Sequence, residues 1–215
     1  NFFGAAIGHV PFGDFRVTDK RYDKYNWFIH DYFFGKALDK VRAGGVIVFV
    51  TSKGTMDKKD SSVRKYLAQR AELLAAVRLP NNTFSQNAGT KVTSDILFLQ
   101  KKEQKTLQEP DWVYLDRDEN GIEMNLYFIY HRKMIFGRMQ IISGRFGEES
   151  ACLPLEGADL NSQLSDAAVK IKGRMDRYEM EEVDAGEGWI LADPDIANFS
   201  YMLREGKIYF RENAR

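Results

Sequence analysis

The first hundred residues combine continuous apolar runs with apolar residues at helical spacing. Residues 46–50 are all apolar, which is typical of a central strand covered on both faces. Aromatic and aliphatic residues recur at helical spacing over 25–41, and Gly44-Gly45 ends this helix. The predicted elements are, in order, a short buried strand at 5–7, a helix at 25–41, a strand at 46–50, a helix at 63–74 and strands at 75–80 and 94–102.

Shorter elements follow a polar stretch at 101–110, which we interpret as a domain boundary. They are, in order, a strand at 112–115, a turn at 118–121, an aromatic helix at 124–134, a strand at 139–147, a helix at 159–175, an acidic linker at 178–187 and a hairpin at 199–211. We therefore divide the chain into 1–102, a smaller α+β segment at 103–190 and a C-terminal hairpin and linker at 191–215.

Composition excludes several kinds of site. The 215 residues include 31 basic and 31 acidic side chains, so no net charge draws the chain towards nucleic acid. Cys152 is the only cysteine, which excludes an internal disulfide and a cysteine-cluster zinc site. His9, His30 and His131 lack the spacing of a metal site, so we predict none. No apolar run is long enough to span a membrane, and we expect a cytoplasmic protein without a membrane partner.

A turn with the properties of a reactive loop follows the first predicted strand. Gly8 lets the backbone turn freely, and Pro11 fixes φ and removes an amide donor, so the strand must stop there. The backbone carbonyls around Pro11 stay available to a ligand, and Phe12 offers a flat apolar face. The alternative is a strand-end turn anchored by a core phenylalanine.

The residues His9-Val10-Pro11-Phe12 resemble the catalytic loop of amino-directed methyltransferases, which reads Asp/Asn/Ser-Pro-Pro followed by an aromatic residue. In that family, the first side chain and the next backbone carbonyl accept the two hydrogens of an extruded adenine amine, and the aromatic ring stacks on the base. The resemblance therefore assigns catalytic positions to His9, Val10, Pro11 and Phe12. Val10 replaces the usual proline and His9 the usual Asn or Asp; an imidazolium could not accept a hydrogen bond.

The order of elements extends this resemblance over the first hundred residues. The series of helix, Gly-Gly, apolar strand, Arg-bearing helix, Leu-Pro, Asn-rich loop with Phe and final apolar strand is similar to type I modification subunits. It is most similar to the helicase-linked adenine-N6 DNA methylases of bacterial mobile elements. The resemblance implies an α/β fold with a partial Rossmann-like methyltransferase sheet of about four strands, the last one antiparallel.

The same resemblance implies S-adenosylmethionine as the cofactor of a longer parent protein. The glycine-rich turn and the acidic residue that hold this cofactor are expected upstream of Asn1, and the chain opens without a methionine. Gly186-Glu187-Gly188 is read as a linker, because no strand leads into it. We therefore expect little catalysis from this chain alone and an exposed strand edge at 5–7 that invites self-association.

Three further residues are candidates for contact with DNA. Lys53 lies in the loop after the 46–50 strand, on the side of an open α/β sheet where ligands bind. Arg145 and Phe146 form a glycine-flanked tip that could meet a phosphate and stack on a base. The local pattern equally fits an exposed turn anchored by Phe146.

Three functions remain open at this point. The first is part of an S-adenosylmethionine-dependent DNA adenine-N6 methyltransferase, with DNA, the upstream half of the domain and a downstream helicase domain as partners. The second is a degenerate, non-catalytic module for DNA docking that is linked to a helicase, which the histidine at position 9 favours. The third is methylation of RNA or of a protein glutamine, which uses the same loop chemistry.

Overall fold

The computed structural model describes residues 3–85, 91–144, 147–173, 196 and 200–211. Contacts divide the chain into two compact units, Asn1–Asp176 and Arg177–Arg215, which are described separately here. The division at residues 102 and 190 that the sequence suggested stays a prediction.

A four-stranded mixed sheet forms the centre of the first unit. Its strands are β1 (Phe3–His9), β2 (Val41–Ser52), β3 (Ala71–Leu79) and β4 (Ser94–Lys101), arranged in the order β1-β2-β4-β3. β1 is parallel to β2, and β4 is antiparallel to both β2 and β3. This confirms the predicted α/β fold, a partial Rossmann-like sheet with its last strand antiparallel. β1, β2 and β3 consequently point the same way, and their carboxyl ends meet at one edge.

The burial of these strands follows their position in the sheet. In β2, Ile47 and Phe49 are buried on one face, whereas Val46 and Val48 on the other face are half-buried. Residues 5–7 were predicted to form a buried strand with one edge left exposed. β1 is the outermost strand of the described sheet, and Ile7 is 79% exposed, so the predicted burial is wrong. β1 has no neighbour beyond it in the described ranges, which explains the difference.

Helices cover the sheet and differ in their bounds from the sequence prediction. They are α1 (Ile29–Lys40), α2 (Gly54–Asp57) and α3 (Ser62–Arg70). The stretch 25–28, predicted to be helical, instead contains the end of a 3₁₀ turn and a left-handed Asn26. The helix predicted to reach residue 74 ends at Arg70, because β3 pairs with β4 from Ala71 onward.

The rest of the first unit consists of two hairpins and two helices. They are β5 (Leu115–Arg117), β6 (Glu123–Asn125), α4 (Leu126–Tyr130), β7 (Gly137–Gly144), β8 (Gly147–Pro154) and α5 (Leu160–Ala168). The predicted strand at 112–115 is instead a 3₁₀ turn at Asp111–Val113, whose buried Trp112 and Val113 pack into the core. β8, the partner of β7, was not predicted.

One hydrophobic core joins the sheet to these later elements. Phe34 from α1, Leu67 from α3 and Ile47 from β2 share a buried cluster with Met124 and Phe128 from the later segment. All five side chains are completely or almost completely inaccessible to solvent. The later segment is therefore packed as part of the same compact unit as the sheet.

The described part of the second unit is a hairpin, which confirms the prediction. β9 (Tyr201–Arg204) and β10 (Lys207–Phe210) are antiparallel, and Lys207 pairs with Arg204. Glu205 and Gly206, with φ of 52° and 74°, make the turn between them.

Candidate functional site

The predicted reactive turn lies at the carboxyl edge of the sheet. His9 ends β1 opposite Val50, and the Val10 amide donates to the Val50 carbonyl at 3.0 Å, which extends the pairing by one residue. Val10 is 3% exposed and anchors the turn in the core. His9 and Pro11 are exposed, and Phe12 is half-buried against the core. The turn therefore presents His9 and Pro11 to solvent from a fixed base.

Three rings meet at this edge. The His9 ring centroid lies 5.0 Å from that of Phe12 and 5.2 Å from that of Phe84, with interplanar angles of 61° and 39°. Phe84 comes from the loop after β3, which opens at the same edge because β3 is parallel to β1. Sequence reasoning gave Phe84 no role at the site. The sequence could have indicated such a role, because the loop that carries Phe84 follows the strand predicted at 75–80 in the same sheet.

Lys53, at the end of β2, is engaged with the hairpin β7–β8. Its Nζ donates to the Ser150 carbonyl and, at 3.0 Å, to Ser150 Oγ. Burial lowers the pKa of the Lys53 ammonium, and the carboxylates of Asp57 and Glu149 oppose that shift. The DNA contact suggested for Lys53 stays a prediction. Arg145 and Phe146 lie outside the described residues.

Two hydrogen bonds of the Cys152 backbone fix the same hairpin to the sheet edge. The Cys152 amide donates to Thr93 Oγ1 at 2.9 Å, and the Asn81 amide donates to the Cys152 carbonyl at 2.7 Å. Cys152 is completely buried, and burial raises the pKa of its thiol to about 12. A buried thiol with a raised pKa is a poor nucleophile, and Cys152 packs in the hydrophobic core.

A buried ion-pair network lies beneath the site. Arg78 on β3 binds Asp95 on β4 through two contacts of 2.8 and 2.9 Å, and its Nη1 lies 2.8 Å from Asp57 Oδ2. Burial by itself lowers the pKa of Arg78, but the two carboxylates outweigh burial and raise the pKa above its ordinary value. The guanidinium also lies 4.1 Å from the ring centroid of Phe128. These contacts join the carboxyl end of β3 to α2 and α4.

The start of α1 is fixed to the segment after β2 by a second buried carboxylate. Asp31 is completely buried and accepts from Lys58 Nζ and, at 3.3 Å, from Thr55 Oγ1. His30 Nε2 lies 3.7 Å from Asp31 Oδ2. This cluster holds the helix that follows the reactive turn.

The described residues contain no group of three or more His, Cys, Asp or Glu side chains that could hold a metal ion. None of the helices in the described ranges is long and apolar enough to cross a membrane.

Comparison with known proteins gives a family match over most of the chain. A family model described as N-6 DNA Methylase matches residues 12–163. The match includes Phe12, Lys53 and Phe84 and starts directly after Pro11.

Individual relatives match this chain over only part of their own length. Defense against restriction protein B from Escherichia phage P1 is 32% identical over 103 residues, which make up 46% of this chain and 4% of that protein. The M protein of the type I restriction enzyme EcoKI is 15% identical, with a TM-score of 0.40 over 63% of this chain and 31% of its own. A Listeria monocytogenes protein described as a class I S-adenosylmethionine-dependent methyltransferase is 17% identical, with a TM-score of 0.40 over 51% and 35%. The chain thus spans about a third or less of each of these proteins.

Proposed function

The chain belongs to the N-6 DNA methylase family, and from this premise we propose that it is the target-base half of an S-adenosylmethionine-dependent DNA adenine-N6 methyltransferase. The observation that carries the proposal is the meeting of His9, Phe12 and Phe84 at the carboxyl edge of the sheet. An open α/β sheet binds its ligands at this edge. We place the parent protein in the bacterial cytoplasm, where it would reach DNA.

The cofactor is proposed to bind outside this chain. A glycine-rich cradle would lie in a turn after one of the parallel strands, where backbone atoms can approach the ligand. In the described structure, the first four residues after β1, β2 and β3 contain one, one and no glycine. These turns do not fit S-adenosylmethionine, so we assign its site to an upstream segment.

The residues of the turn would hold the target base and direct its amine. A neutral His9 imidazole accepts one hydrogen from the adenine amine, and a backbone carbonyl of Val10 or Pro11 accepts the other. Acceptors on both N–H groups draw the nitrogen lone pair out of the ring, towards tetrahedral geometry. Phe12 would stack on the extruded base, and Phe84 would supply a second apolar wall.

The ring contacts at His9 favour one alternative function. The His9 ring already lies against Phe12 and Phe84, where an extruded base would have to compete with it. A shorter asparagine would leave those rings open. The alternative is therefore a non-catalytic DNA-docking module, linked to a helicase, whose histidine fills the base pocket.

Substitution of the aromatic walls tests the proposal in a version of the parent extended upstream of Asn1. Phe84→Ala is expected to lower kcat/KM for methyl transfer to adenine in DNA roughly five- to 150-fold, because one stacking contact contributes about 1–3 kcal/mol. Phe84→Tyr should keep most activity. Tyr130→Ala is the control, since Tyr130 is 63% exposed on α4. Equal activity of Phe84→Ala and the unmodified protein would contradict the assigned role.

His9→Asn in the same extended protein separates the two functions. A loss of methylation means that the imidazole takes part in the reaction. A large gain means that the histidine blocks the site, as the docking-module alternative requires. Adenine in RNA and glutamine peptides are tested alongside DNA, and transfer to either in place of DNA would contradict the proposed substrate.

A further inference from the structure

A cavity lies at the opposite end of the sheet from the His9 turn. It has a volume of about 400 Å³ and is formed where α1, α3 and β4 end, together with the segment before α1. β4 runs from Ser94 at the His9 edge to Lys101 at this cavity, so the two sites are separated by roughly 23 Å, the length of an eight-residue strand. The cavity is therefore distinct from the proposed base site.

The cavity has a strong excess of positive charge. Six basic and two acidic side chains line it, although the formal charge of the whole chain is zero. The basic residues are Arg21, Lys24, Arg70, Lys101, Lys102 and Lys105. Concave surfaces of one sign concentrate the electrostatic field and attract ligands of opposite charge.

One of the two acidic residues is already engaged. Asp39 accepts from the Tyr22 hydroxyl and forms an ion pair with Arg21 Nε at 3.0 Å. Lys101 and Lys102 donate to the backbone carbonyls of Val41 and Ala68. These contacts fix the wall of the cavity and leave its charge excess in place.

The aromatic residues of the cavity orient cations and do not present open rings. Arg70 Cζ lies 3.6 Å from the ring centroid of Tyr66, and Lys24 Nζ lies 4.9 Å from the ring centroid of Tyr25. Tyr25 is also stacked on Trp27, with centroids 4.5 Å apart and an interplanar angle of 13°. A nucleobase would find these rings occupied, whereas a phosphate would meet guanidinium and ammonium groups held in place.

We infer that this cavity holds the backbone phosphates of a nucleic acid without reading its bases. The cations come from three separate segments, residues 21–24, the end of α3 and residues 101–105, so the cavity offers more basic groups than a single phosphate would need. A site for a free nucleotide would instead need an open ring or a pocket for the base. The inference goes beyond the proposed methylation and does not depend on the chemistry of His9.

A matched pair of charge reversals in the 215-residue chain tests the inference. The probe is a fluorescein-labelled 12-mer of DNA, single-stranded or duplex, and binding is measured by fluorescence anisotropy over a range of salt concentrations. Lys24→Glu with Lys105→Glu is expected to raise Kd at least tenfold and to reduce the slope of log K against log salt by about 2. The control, Lys59→Glu with Lys133→Glu, changes the net charge equally at exposed lysines outside the cavity and should have a much smaller effect.

The remaining outcomes each decide the question. An equal loss of binding in both double variants means general electrostatic attraction and overturns the inference, and so does the absence of DNA binding by the unmodified chain. ATP or tripolyphosphate that displaces the 12-mer as effectively as unlabelled DNA would show a site for small phosphates instead. Neutral Lys24→Gln with Lys105→Gln repeats the test if charge reversal disturbs the far-UV circular dichroism. The two proposals can also be separated. If the extended parent protein does not transfer methyl groups but DNA binding still requires the cavity, the proposed function is refuted and this inference stands.

Discussion

His30 is a buried histidine in the first turn of α1. The residue is 6% exposed, and its Nδ1 is buried with no hydrogen-bond partner among the described residues. Burial lowers the pKa of His30; the Asp31 and Asp14 carboxylates raise it, and the Lys58 ammonium lowers it further. The folded chain therefore favours the neutral form of His30 more than the unfolded chain does.

The depressed pKa predicts a loss of stability in mild acid. As the pH falls through the unfolded-state pKa of about 6.5, the unfolded chain binds a proton that the folded chain does not, so folding becomes less favourable. His30→Gln should flatten the decrease of the urea midpoint between pH 7 and pH 5. His131→Gln is the control, because His131 is exposed. The same slope in His30→Gln and the unmodified chain would show that other groups cause the acid sensitivity.

Some residue contacts of the site were predictable and others were not. The turn at His9–Phe12 could be recognised because proline and glycine break a strand in a way that local sequence shows. The Arg78–Asp95 pair could not be recognised, because the two residues lie directly opposite each other only in the observed register of β3 and β4. Register depends on the packing of the whole sheet, which no local pattern reveals.

The hairpin β7–β8 is attached to the sheet through Thr93, which directly precedes β4. Thr93 is 5% exposed, and its hydroxyl oxygen accepts a hydrogen bond from the buried Cys152 amide at 2.9 Å. A buried amide without an acceptor costs about 1–3 kcal/mol. Removal of the Thr93 hydroxyl therefore tests how strongly the hairpin is held to the sheet.

Thr93→Val is expected to lower the free energy of unfolding by about 1–3 kcal/mol, since valine keeps the shape and removes the acceptor. Urea denaturation measures this change, and faster amide hydrogen exchange at Cys152 should accompany it. Thr93→Ser keeps the hydroxyl and should protect the amide. If the valine and serine variants exchange at the same rate, the hydroxyl does not hold the hairpin.

The bounds of β3 show why element ends were harder to predict than element types. Residues 71–74 read Ala-Glu-Leu-Leu, which are strong helix formers, and they follow a helix. They are nevertheless extended, because Ala71–Leu73 pair with residues 99–101 of β4 and Ala71 is buried there. Tertiary pairing overrides the local preference, and only the neighbouring strand could have indicated it.

At the scale of the whole molecule, the free edge of β1 determines how the chain meets its surroundings. In the described part of the structure, β1 pairs only with β2, and Phe3 and Ile7 are 61% and 79% exposed. An apolar strand with unpaired backbone groups is a template for another strand. The proposed upstream half of the methylase would cover this edge.

Because of this free edge, we expect the 215-residue chain to self-associate in a concentration-dependent manner. Ile7→Lys should weaken it, raising the dissociation constant at least about tenfold, because a charged side chain on an edge strand opposes strand addition. Sedimentation velocity measures the change, and Leu107→Lys, at a residue that is 88% exposed away from β1, should have no such effect. The protein extended upstream of Asn1 should be monomeric at concentrations where the shorter chain associates. If the extended protein associates as strongly and Ile7→Lys changes nothing, the contact lies elsewhere and β1 is not the place where the two halves join.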